Sequence, residues 1–315
     1  MVGGFTFFNA SSESFVMLKS ILMVWVLAQN LGATQQAYED YLGYTLVDEG
    51  VMSAELSIAI ERPELAGRPF ATLMPPGGPQ VGIRIVQGGD AGYQPMKRLG
   101  WSAIELLVKD PIQLKTQLEG SAFRHLQGPD FLTDQKNILA MQVTGPNQEL
   151  FYLTHMIDPS LSFLQPEPSP VSVGQTFIMV MGTPDIDNSL TFWREHFDNG
   201  IVGPIPYRIG VLSEAYDLPL DTQHPLALVS MSDGYGIEID QYPEAADPVP
   251  GPAGERGGVI LVTLSVDPTA LKKMLPWTMS YTNERGAVTG GIVTLPSGTP
   301  VEMTFTAAVL PAASG

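Results

Sequence analysis

The stretch Tyr235-Gly-Ile-Glu-Ile-Asp-Gln-Tyr-Pro243 alternates, with Ile237 and Ile239 on one face of a strand and Glu238 and Asp240 on the other. A carboxylate flanked by isoleucines and facing a cavity holds its proton more tightly than one in water, which suits a general base. Three stretches look like repeats of this one: Val81-Gly-Ile-Arg-Ile-Val-Gln87, Glu149-Leu-Phe-Tyr-Leu-Thr154 and Thr299-Pro-Val-Glu-Met-Thr-Phe305. Their central residues are Arg84, Tyr152 and Glu302. Arg84 could grip a carboxylate or polarise a carbonyl, or pair internally with Glu105 or another acid. The Tyr152 hydroxyl could orient a substrate oxygen or donate a proton, or be an ordinary satisfied core tyrosine. Glu238 could equally be neutralised by Arg208.

The chain has four histidines. His224, in Asp221-Thr-Gln-His-Pro, precedes a strand and could reach a cavity rim as a base, or cap a turn. His125 lies on a loop or strand and could contact a ligand. His155 falls on the far side of its strand by parity, and His196 sits on a helix, at the surface. The candidate catalytic set is Glu238, His224, Tyr152 and Arg84. The candidate substrate-binding set is Glu105, Glu302, Asp240, Tyr242, Arg208 and His125, with Asp240 and Tyr242 running towards the rim. No Gly-x-Ser-x-Gly elbow is present, and Gly88-Gly-Asp-Ala-Gly92 does not open a helix as a phosphate loop must.

The elements that would position these residues recur. A strand over 21–28, a helix over 34–43, an extended run over 45–51, a helix over 54–61 and strands over 69–74 and 81–87 form the first unit. The second has a strand over 101–110, a helix over 111–119 and a hairpin over 137–144 and 149–154. After the proline-rich linker come a strand over 176–181, a helix over 187–197 and strands over 226–231 and 236–241. The last unit has a strand over 259–266, a helix over 268–275 and a hairpin over 287–295 and 300–306. First strands begin near 21, 103, 177 and 259, a period of about 75–80 residues. Each unit covers one sheet face with its helix and leaves the other needing a partner, so two units side by side would make a cup.

Composition narrows the function classes. A net charge of −17 disfavours nucleic acid and anionic membranes. No cysteine is present, which removes thiolate metal sites and thiol nucleophiles and is compatible with a cytoplasmic location. The run 15–28 could pass for a signal-peptide core. Lys19 interrupts it, however, and residues 1–14 carry no positive charge, so a buried strand is the preferred reading.

Tyr41-Leu-Gly-Tyr, Ala103-Ile-Glu-Leu-Leu-Val-Lys-Asp, Gly145-Pro-Asn-Gln-Glu-Leu-Phe-Tyr-Leu-Thr, Phe177-Ile-Met-Val-Met-Gly-Thr-Pro-Asp, Ser189-Leu-Thr-Phe-Trp and Ile237-Glu-Ile-Asp recur in order. In this the chain resembles the vicinal oxygen chelate superfamily, which groups glyoxalase, bleomycin-resistance and extradiol dioxygenase proteins. The resemblance implies an α+β fold of four βαβββ modules forming two cupped mixed sheets. Residues 1–14 would be an arm, 15–157 an N-terminal pair of modules, 158–172 a linker and 173–315 a C-terminal pair. It also implies a metal held by first-strand positions near Ser20, Ala103, Phe177 and Leu261 and last-strand positions Arg84, Tyr152, Glu238 and Glu302. The N-terminal cup would then hold Ser, Arg, Ala and Tyr, no cation site. The C-terminal cup would hold Glu238 and Glu302, enough only for a weakly bound divalent cation. The expected function is a glyoxalase-like isomerase or lyase without a tightly bound transition metal, acting on a small, partly apolar, oxygenated molecule. The alternatives are a sequestering protein of the bleomycin-resistance type and a metal-dependent dioxygenase or lyase. The expected partner is a small molecule, with no nucleic acid or membrane, for a monomer or homodimer.

Overall fold

The computed structural model describes residues 18–77, 81–90, 92–249, 257–284 and 286–305; the expected arm, 1–14, lies outside them. The first module runs β1 (Leu18–Ala28), α1 (Leu31–Leu42), β2 (Thr45–Val51), α2 (Ala54–Ala59), β3 (Pro69–Met74) and β4 (Gly82–Gln87). The second runs β5 (Gly100–Val108), α3 (Pro111–Gln117), β6 (Arg124–Phe131), β7 (Ile138–Thr144) and β8 (Leu150–Met156). The third runs β9 (Val173–Thr183), α4 (Ile186–His196), β10 (Ile201–Arg208), α5 (Gly210–Ala215), β11 (Gln223–Ser230) and β12 (Gly236–Gln241). The fourth runs β13 (Gly258–Val266), a single 3-10 turn (Pro268–Ala270), β14 (Trp277–Thr282), β15 (Val288–Thr294) and β16 (Pro300–Phe305).

Local chemistry explains the helix ends. Asn30 caps α1 by accepting from the Ala33 N–H at 3.0 Å, and Gly43 closes it at φ 69°. Thr34, Ala37, Tyr38 and Leu42 are the buried stripe, spaced three and four apart. Asp185 caps α4 in the same way through the Asn188 N–H. The helix expected over 268–275 shrinks to one turn. The strands β10 and β14 were not expected; β14 alternates half-buried and exposed, whereas Gly203-Pro204 obscures β10.

Two eight-stranded mixed sheets result, and their strand orders correct the expected pairing of modules. One sheet runs β14-β15-β16-β13-β1-β4-β3-β2, joining modules one and four; the other runs β10-β11-β12-β9-β5-β8-β7-β6, joining modules two and three. There is therefore no N-terminal or C-terminal cup. Each first strand takes its own module's last strand on one side, in parallel, which leaves its other edge open. That edge is filled antiparallel by the partner module, with Glu105 opposite Ile178 and Val24 opposite Val262. Modules one and two instead meet back to back. The Tyr38 ring of α1 stands edge-on to Phe151 of β8 at 5.8 Å, and its hydroxyl donates to Glu149 at 2.7 Å.

One continuous core lies between the convex backs of the sheets, with Val24, Ile83, Ile104, Leu106, Met179 and Leu264 among its members. Burying each such aliphatic side chain stabilises the fold by about 1.5–3 kcal/mol. No described helix is long and apolar enough to cross a membrane.

Candidate active site

Four adjacent strands of the sheet of modules two and three each present one residue to a cavity of about 340 Å³: Glu238 from β12, Ile178 from β9, Glu105 from β5 and Tyr152 from β8. Ile138 and Ala140 of β7 and Leu226 and Leu228 of β11 make apolar side walls. Phe163 and Leu164, from the linker, add to them. At the mouth the two sheet edges approach each other. The Tyr207 hydroxyl of β10 donates to the Leu132 carbonyl at 3.0 Å, and Gln127 Nε2 of β6 donates to Glu214 Oε2 of α5 at 3.1 Å. Both edge strands carry a bulge at a glycine, Gly128 at φ 81° and Gly203 at φ 100°. A Cβ at either would stand 2.6 Å from a carbonyl oxygen of the neighbouring strand, so only glycine fits.

The buried acids here are unusual in having no ion-pair partner among the described residues. Glu105 is 5% exposed and accepts from the Thr154 hydroxyl at 2.6 Å. Burial raises its pKa to about 7, against which the Thr154 bond works. Glu238 is half-buried, opening onto the cavity, and its pKa lies well above the carboxylate range through burial, then Asp240, then Glu105. Asp240, two residues on along the same strand face, is 0% exposed. Neither of its carboxylate oxygens has a hydrogen-bond partner among the described residues, and burial raises its pKa strongly. Three acids in one low-dielectric neighbourhood cannot all be ionised, so the group shares protons at neutral pH. The Tyr152 hydroxyl is also without a partner among the described residues, in a side chain 8% exposed.

The structure thus gathers Glu238, Tyr152, Glu105 and Arg208 around one cavity, with Arg208 exposed at the mouth and Asp240 behind Glu238. The other candidates stand elsewhere. Arg84 and Glu302 belong to the second sheet. The Arg84 guanidinium donates to Thr72 at 2.7 Å and Asp48 at 3.0 Å and lies over the rings of Phe70 and Trp25. Its internal partner is Asp48 and not Glu105. Glu302 accepts from Thr263 at 2.6 Å and Tyr281 at 2.7 Å, one hydrogen bond to each carboxylate oxygen. Helix α2 brings Ala59 and Ile60 against Trp25, Leu27 and Ile260 in a second apolar cluster on this sheet.

His224 shares a face with Leu226 and Leu228 but does not line the cavity. It is 5% exposed, pairs with the Ser213 hydroxyl at 2.9 Å, and burial lowers its pKa. His125 is exposed on β6, with Nε2 2.8 Å from the Gly128 carbonyl, and faces a groove outside the mouth. Tyr242 leads away from the rim; its ring packs over Gly182, and it is 3% exposed against Met96. His196 is buried, its Nδ1 2.9 Å from the Phe192 carbonyl.

Sequence reading missed Tyr207, Gln127, Thr154 and Phe163. Thr154 was reachable, because it follows Tyr152 by two positions on the same strand face. Phe163 lies in an irregular linker and carries no periodic signal.

The donor set does not fit a chelated metal. Glu105, Ile178, Tyr152 and Glu238 occupy the cup positions, and the other sheet holds Arg84 and Glu302, so Glu238 and Glu302 are in different cups. No group of three or more His, Asp or Glu side chains among the described residues is spaced to hold a metal ion.

No family model matches the chain, and no curated protein sequence matches it. Solved structures do. Glyoxalase I from Zea mays superposes with a TM-score of 0.57 at 11% identity, over 91% of this chain and 92% of its own. A point mutant of the same maize enzyme gives 0.58 at 11% identity, over 91% and 93%. A Bacillus subtilis protein named as a candidate dioxygenase gives 0.58 at 10% identity, over 92% of this chain and 86% of its own. At such identities the likeness concerns the fold: this chain has the cupped, four-module fold of the vicinal oxygen chelate proteins.

Proposed function

We propose that the cavity of modules two and three is the active site of a glyoxalase-like enzyme that moves protons on a small, partly apolar, oxygenated molecule. The observation that carries this reading is the meeting of Glu238, Glu105 and Tyr152 on the wall of one apolar cavity. In the step we envisage, a Glu238 carboxylate accepts a proton from a carbon beside a carbonyl. Tyr152 donates a hydrogen bond to the oxygen on which negative charge develops, and the proton returns to a different carbon or to the same one. A raised pKa makes Glu238 a stronger base once ionised. Because the donors present do not fit a chelated metal, no step runs through one. The reading takes the cytoplasm as the compartment.

The test is deuterium exchange in heavy water, followed by NMR, across a panel of aryl and alkyl ketones, hydroxyketones and 2-oxoaldehydes. At least one compound should exchange or turn over, and Glu238→Gln should slow it by about 10²–10⁴-fold. Tight, saturable binding without exchange across the panel would sink the enzymatic reading in favour of sequestration, which the apolar walls also suit. Stoichiometric iron, manganese, nickel or zinc in purified protein would favour the metal-dependent alternative instead.

A further inference from the structure

We infer that the ligand of this cavity is an organic cation, an amine carried on an apolar body. The inference rests on reading the cavity as the ligand site but not on that site being catalytic. Glu238 and Glu105 face the cavity from strands two apart in the sheet, and Asp240 stands behind Glu238 on the same face. None of the three is ion-paired among the described residues. The nearest cation at the mouth, Arg208, is exposed and forms no ion pair among them either. Burying carboxyl groups without a cation is costly unless they are protonated or a cation arrives with the ligand.

The rest of the cavity is built for the second case. Tyr152, nine-tenths buried, also lines the cavity, and its hydroxyl, which has lone pairs for an N–H donor, has no hydrogen-bond partner among the described residues. The rings of Tyr207, Phe163 and Phe177 line the walls, and aromatic faces attract desolvated cations. The net charge of −17 draws cations towards the mouth and repels anions. An ammonium group seated between Glu238 and Glu105 would displace a proton from the cluster to solvent, leaving one positive charge opposite one new negative charge. A neutral ligand would displace none, and a carboxylate would face the acid cluster with Arg208, at the mouth, as the one cation among the lining residues.

Calorimetry at pH 7 with three probes of one skeleton tests this: 4-phenylbutylamine, 4-phenylbutan-1-ol and 4-phenylbutyrate. The amine should bind about tenfold or more tighter than the alcohol, with the carboxylate weakest. The amine's binding heat should vary with the buffer's ionisation enthalpy, reporting proton release, while the alcohol's should not. In Glu238→Gln or Glu105→Gln, both near-isosteric, the amine's advantage should fall below about threefold while alcohol binding is retained. The advantage should survive 0.5 M salt, which screens attraction by the distant surface charge.

Equal or tighter binding of the alcohol or carboxylate would overturn the inference. So would no amine binding at millimolar concentration, amine binding without proton release, or an advantage that salt abolishes or that both variants retain. Amine binding with proton release in a protein that fails the exchange panel keeps this inference and removes the enzymatic reading. Exchange on neutral ketones with no amine preference does the reverse.

Discussion

Tyr152 lines the candidate cavity, and its buried hydroxyl has no hydrogen-bond partner among the described residues. A buried polar group without a partner costs free energy, so removing it should be neutral or mildly stabilising. Tyr152→Phe should therefore leave the thermal midpoint unchanged or raise it slightly, while weakening ligand binding or slowing exchange by about tenfold. A drop in stability comparable to the loss of function would show the hydroxyl to be structural. His224 illustrates the opposite case. Its bond to Ser213 engages it within the fold, and it is not among the residues that line the cavity.

At the scale of elements, the loop between β7 and β8 docks on the start of α1 through one buried acid. Glu149 accepts from the Tyr38 hydroxyl and the Asn147 N–H, both at 2.7 Å, and Asn147 Nδ2 in turn donates to Thr34 at 2.8 Å. Burial raises the Glu149 pKa from 4.5 to about 7, despite these hydrogen bonds. The folded state thus holds this proton more tightly than the unfolded chain. The resulting stability is fully present below about pH 4.5 and is lost as pH rises through about 7, by up to roughly 3 kcal/mol from this group. Glu105 contributes in the same direction over the same window. Denaturant melts of the wild type and Glu149→Gln at pH 5 and pH 8 check this: the variant should lose less stability between the two. A fall in stability with pH that the substitution leaves unchanged would count against it.

Taken whole, the molecule is two half-sheets from each half of the chain, each completed by the other half. The chain cut within 158–172 would leave β1 and β5 on one piece, and β9 and β13 on the other, every one with an open antiparallel edge. Co-expressed halves divided in this linker should copurify as a stable heterodimer with ligand binding intact. Expressed singly, each should aggregate or self-associate, because an unpaired central edge recruits another chain. Two monomeric, well-folded halves would show the pairing of modules to be different. The same topology confines the candidate site to modules two and three, since the equivalent face of the other sheet carries the Arg84, Trp25 and Phe70 cluster.

The sequence by itself determined the repeat. The alternation of Ile237, Glu238, Ile239 and Asp240 and the recurrence near 21, 103, 177 and 259 come from backbone periodicity, a local property, and they mark the four modules and the carboxylate on β12. Local signals also found α1 with its closing Gly43, α4 and the face of Tyr152, but not the N-caps Asn30 and Asp185. Only the tertiary structure decided which modules share a sheet, because strand pairing across more than a hundred residues depends on which open edges meet. Hydrophobic pattern alone leaves that choice degenerate. That choice separated Glu238 from Glu302 and Arg84 from Glu105, and brought Glu105 and Tyr152 beside Glu238. It also placed Phe163, from an irregular linker, and Tyr207, from a strand interrupted by Gly-Pro, around the same cavity.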